Sequence, residues 1–165
     1  MNIAESLQRA IKAEMEGNSF YTMAANSTTD SKGQEIFRTL AAEEWDHMKF
    51  LKGQYESIIR TGRPDLELKL GSKLNLSGAF PIFSESIKSR LKEAHIEMSA
   101  LAIGIQLELD AMNFYKSQAK EVADAEIRKF YDTLADWEAG HYHALLNQQE
   151  SLKEDYWADA GFAPF

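Results

Sequence analysis

Residues 39–47 read TLAAEEWDH and residues 133–141 read TLADWEAGH; moving the chain by 94 residues lays one stretch over the other. The same shift lays EMEGNSFY (14–21) over ELDAMNFY (108–115). Each half therefore carries a glutamate and, thirty residues later, a Glu-x-x-His: Glu14 with Glu44 and His47, then Glu108 with Glu138 and His141. Around these motifs helix formers dominate, apolar residues recur at helical spacing, and period-two alternation is almost absent. Two similar helical hairpins predict an all-α four-helix bundle with approximate two-fold internal symmetry.

The apolar stripes predict a first helix over 3–26, a second over 31–59, a third over 84–122 broken near His95, and a fourth reaching Leu152. Ser31 with Gln34 suits a capping box for the second helix, and Asp124 suits the N-cap of the fourth. Residues 61–83 form the one long crossover, between helices 2 and 3. There the alternation of Leu66, Leu68 and Leu70 suits either a short strand or an extended chain pinned to a groove by leucines. The bundle occupies 1–155, and 156–165 form an aromatic tail.

Composition narrows the function classes. With 165 residues, 44% of them apolar, the chain can bury a core without staples. Cysteine is absent, which removes disulfides, thiolate catalysis and iron–sulfur ligation. No apolar run approaches the roughly 20 residues of a membrane span, and the N-terminus reads as amphipathic helix rather than signal peptide. A cytoplasmic protein without a membrane partner is expected. The net charge of −8 opposes a nucleic-acid partner, which needs a basic footprint.

The positions of the acids point to metal. In an antiparallel hairpin, residues equidistant from the turn share a level. The midpoint of Glu14 and Glu44 is residue 29, and that of Glu108 and Glu138 is residue 123, both at turns. All four glutamates thus meet at one depth, and the i,i+3 spacing puts each histidine on its glutamate's face. Each carboxylate desolvated without compensation costs several kcal/mol, against a domain stability of roughly 5–15 kcal/mol. Two divalent cations balance four carboxylates, and two imidazoles complete the ligand set without adding charge. An oxygen-rich, thiolate-free set favours iron or manganese over structural zinc. Six protein ligands for two ions leave positions open for O₂ or peroxide.

Glu14…Tyr21, Glu44-x-x-His47, Glu108…Tyr115 and Glu138-x-x-His141 together resemble the rubrerythrin branch of the ferritin-like di-iron proteins, across all four helices. The resemblance implies a ferritin-like bundle and a non-haem centre of two iron ions on Glu14, Glu44, His47, Glu108, Glu138 and His141, reacting with H₂O₂ or O₂ and oxidising Fe(II). Longer rubrerythrins end in a four-cysteine rubredoxin domain that delivers electrons; with no cysteine here, electrons are expected from an external electron-transfer protein. Many also carry a further carboxylate three residues after the third-helix glutamate, where this chain has Ala111.

The same residues admit other readings. The same site could load iron for a storage shell, or serve hydroxylation of an organic substrate; the crossover and tail suit a homodimer better than a cage. Tyr21 and Tyr115 lie seven residues after their glutamates, on the same face, and either orient carboxylates or pack as core tyrosines. Glu16, Glu43, Asp46, Asp110 and Asp136 fall off the ligand face and are expected in solvent. His95 and His143 have no symmetric partner and are expected not to ligate.

Overall fold

A computed structural model describes residues 2–71 and 81–159, with side chains described as far as residue 155. The order is α1 (Ile3–Ser27), α2 (Ser31–Thr61), a 3₁₀ helix (Glu85–Glu93), α3 (His95–Glu121) and α4 (Ala125–Asp159). No strand occurs among the described residues, so Leu66, Leu68 and Leu70 lie in irregular chain. Leu70 packs against the core and Leu68 lies over Gly53, while Leu66 stays exposed.

Local chemistry sets the boundaries. Asn2 and Glu5 form a reciprocal capping box at the start of α1. The cap of α2 is Asp30, whose side chain accepts from the Gly33 amide; the expected Ser31–Gln34 box does not form. Gln34 instead donates to the Thr28 carbonyl, bracing the turn from behind. Gly62, at φ 73°, closes α2 in the left-handed conformation that costs a glycine least. Asp124 caps α4 as expected, accepting from the Glu126 and Ile127 amides. The expected break near His95 is the passage from 3₁₀ helix to α3. Helix α4 runs past Leu152 and takes 156–159 from the expected tail; 160–165 lie outside the described residues.

The three-residue α1–α2 turn and the 122–124 turn make two antiparallel hairpins, which pack on one another through α1 and α3. The first turn is tied down by distant residues. Asp30 accepts from the Ser84 amide and hydroxyl, and Glu97, at the start of α3, accepts from Thr28 Oγ1 and the Thr29 amide.

Two apolar clusters fill the bundle. One, near the α1–α2 turn, includes Phe37, Leu40, Phe83, Leu101 and Leu145; the other includes Leu7, Leu51, Phe130, Tyr131 and Leu134. The predicted polar residues sit between them, sealed from both ends of the bundle. No helix among the described residues is long and apolar enough to cross a membrane.

Candidate metal centre

Glu14, Glu44, Glu108 and Glu138 come from the middle of α1, α2, α3 and α4, and none is more than 4% exposed. His47 and His141, one turn beyond their glutamates, are buried equally deeply. The structure brings all six together. His47 Nδ1 lies 3.0 Å from Glu138 Oε1, 3.3 Å from Glu14 Oε2 and 3.8 Å from Glu44 Oε2. His141 Nδ1 lies 3.4 Å from Glu108 Oε2, 3.4 Å from Glu138 Oε2 and 3.5 Å from Glu44 Oε1. Both imidazoles thus turn the same nitrogen toward the carboxylates, and their rings lie nearly parallel with centroids 6.1 Å apart.

These contacts form two overlapping groups. Glu14, Glu44, His47 and Glu138 offer ligand atoms within 4.8 Å of one another, and so do Glu44, Glu108, Glu138 and His141. Glu44 and Glu138 belong to both. Glu44 Oε1 and both Glu138 oxygens are buried with no aligned hydrogen-bond donor, although the two imidazoles lie close by. Orphaned acceptors at this depth are costly unless something with positive charge meets them. Three carboxylates and one imidazole per group, with two carboxylates shared, fit a pair of divalent cations.

Among themselves the ionisable groups shift one another strongly. Burial, then Glu138, Glu14 and Glu108, push the Glu44 carboxyl well up. Burial raises Glu108 to about 8, with Glu138 adding to the rise and His141 opposing it. Burial acts to raise Glu138 too, yet His47 and His141 on either side hold it well below the usual carboxylate range. Burial acts to lower both histidines, but the surrounding glutamates win and raise them well above an ordinary imidazole. Negative charge in excess of what the core tolerates is thus balanced by protons, which a bound cation would displace.

The tyrosines tie one hairpin to the other. Tyr21 on α1 donates to Glu108 on α3, and Tyr115 on α3 donates to Glu14 on α1. Gly104 lets Tyr21 come this close, because a Cβ there would stand 3.2 Å from its hydroxyl. Both phenols are completely buried, and burial followed by the neighbouring carboxylates pushes them well above the usual range, so they remain donors.

One residue contradicts the sequence expectation. Glu43 is 4% exposed, not solvated, and its carboxylate lies 2.5 Å from His141 Nε2, on the side of the ring away from the four glutamates. The signal was its own spacing: Leu40, Glu43, His47 and Phe50 form one buried i, i+3, i+7, i+10 stripe. Glu16, Asp110 and Asp136 are exposed as expected, and Asp46 is half-buried. His95 and His143 are exposed on the helix surfaces.

A cavity of about 190 Å³ opens between α1 and α3 and reaches Glu14, Glu44, Glu108 and Glu138. Gly17 and Ala111, at equivalent positions of the repeat, keep it open, and Arg9, Glu16 and Asp110 line it farther out.

An all-α bundle with two fused carboxylate–histidine clusters at its centre defines the ferritin-like dimetal class. The rubrerythrin family model matches residues 5–149, and the chain belongs to that family of ferritin-like di-iron proteins. Neither a curated protein nor a solved structure gave a significant match.

Proposed function

We propose that this protein is a di-iron oxidoreductase of the rubrerythrin type that reduces H₂O₂ or O₂ and oxidises Fe(II), drawing electrons from a separate electron-transfer protein. The observation that carries the reading is the pair of buried clusters sharing Glu44 and Glu138. These two glutamates would bridge, Glu14 and His47 would complete one ion's sphere, and Glu108 and His141 the other's. Two bound Fe(II) ions would supply the two electrons that, with two protons, turn one hydrogen peroxide into two waters. Manganese fits the same donors.

The surrounding residues support this chemistry. Tyr21 and Tyr115 hold Glu108 and Glu14 in place from the opposite hairpin, so the carboxylates need not reorganise when charge changes between them. The cavity, at about 190 Å³, is smaller than the roughly 300–1,000 Å³ of ordinary organic-ligand pockets. It suits O₂, peroxide or a cation, and weighs against hydroxylation of an organic substrate. Exposed Glu16 and the equivalent Asp110 outweigh Arg9 in its outer lining and leave a net negative charge that attracts Fe(II). Exposed Met15 and Met23 on α1, with Ile96 and Ile103 on α3, support a homodimer.

Anaerobic Fe(II) loading, metal analysis and stopped-flow mixing with peroxide or O₂ test the reading. Two iron ions per chain, oxidised together with one peroxide consumed per pair, are expected. One ion or none, or a loaded protein inert to both oxidants, would overturn it. Elution as a large cage would favour the storage reading instead.

A further inference from the structure

The internal repeat is nearly exact at the ligands but fails immediately behind them. Under the 94-residue shift, Glu43 corresponds to Trp137, and His47 to His141. Glu43 faces His141 across the α2–α4 interface, and Trp137 faces His47 across the same interface in the opposite sense. One imidazole therefore has a carboxylate behind it, where the other has an indole.

We propose that this makes the two half-sites unequal: Glu43 positions His141 and gives its half-site, with Glu108, a higher metal affinity than the half-site of His47 and Glu14. The inference rests on the dimetal reading above. A carboxylate that accepts the Nε2 hydrogen leaves Nδ1 as the nitrogen with the free lone pair. Nδ1 is the atom aimed at Glu44, Glu108 and Glu138, between 3.4 and 3.5 Å away. The contact also restrains the ring's rotation and makes the imidazole a stronger electron donor. Because Glu43 stands on α2 and His141 on α4, the restraint comes from a separate hairpin and does not move with the ligand it holds.

His47 has none of these supports. Its Nε2 is buried without a hydrogen-bond partner. The Trp137 ring meets it edge-on, with centroids 5.0 Å apart and planes at 66°. An indole N–H can only donate, so no rotation of Trp137 lets it accept from the imidazole as Glu43 does. The Glu43 carboxylate also adds negative charge behind His141.

Calorimetric titration of the chelator-treated protein with Co(II), at fixed pH, tests this. Wild type should take up two ions in steps separated by about tenfold or more, the usual scale of such outer supports. His47→Ala should retain the tighter step and His141→Ala the weaker one, so each variant reports one half-site directly. Glu43→Gln, which keeps the side-chain shape, should weaken the site left in His47→Ala by about 10–100-fold and leave that in His141→Ala unchanged. A merely structural role for Glu43 would lower both alike. Two ions bound with equal affinity, or equal losses from Glu43→Gln in both histidine variants, overturn the proposal and leave the dimetal reading standing. Wild type that binds fewer than two ions overturns both.

Discussion

Removing metal and raising the pH together should destabilise the bundle through Glu108. Its carboxyl titrates at about 8 in the folded chain, against 4.5 for an ordinary glutamate. Between those values the folded protein keeps a proton that the unfolded chain has released, so stability falls as pH rises. At about 1.36 kcal/mol per pH unit, falling to half that where the group is half-titrated near pH 8, the step from about pH 6 to about pH 8 removes ~2 kcal/mol from a total of roughly 5–15 kcal/mol. His47 and His141, also raised, act with the same sign: their contribution is complete below the ordinary imidazole value and lost as pH passes their folded values. Glu138, held low, acts with the opposite sign but only below about pH 4.5, outside this window. For a chain of this size, ~2 kcal/mol corresponds to a fall in Tm of about 4–8 °C. Melting by circular dichroism across this range, with and without chelator treatment, measures it. The loaded protein should hold its Tm, since cations replace the protons. Identical, pH-independent melting of both forms would refute the reasoning, showing the carboxylates to be hydrated.

Three further outcomes are expected. Glu44→Ala or Glu138→Ala should abolish uptake of both ions at neutral pH, whereas His47→Ala or His141→Ala should weaken one and spare the other; metal analysis after dialysis separates the cases. Tyr21→Phe, which leaves Glu108 without its donor, should lower the stability of the loaded protein by about 1–3 kcal/mol, and Tyr115→Phe should do the same through Glu14, both read by denaturant titration. Ala111→Leu should narrow the cavity beside Glu108, keeping two ions per chain while slowing oxidation by peroxide about tenfold, or ~1.4 kcal/mol, seen by stopped-flow absorbance.

The sequence alone determined the helices, the hairpin pairing and the six polar residues that meet. All three follow from spacing along the chain, and the repeat doubled every signal. Helical period set the faces, and distance from each turn set the levels of Glu14, Glu44, Glu108 and Glu138. The same reasoning carried the Asp124 cap, because an N-cap is a local bond between neighbours. It failed for Ser31, where Asp30 serves both the Gly33 amide and Ser84, a residue far along the chain. Tertiary structure decided the contacts between hairpins: that Tyr21 reaches Glu108 and not Glu14, that Glu44 and Glu138 belong to both clusters, and that Glu43 backs His141. These depend on how far one hairpin is rotated and shifted against the other. That placement is set by side-chain packing across the whole core, which no local spacing encodes.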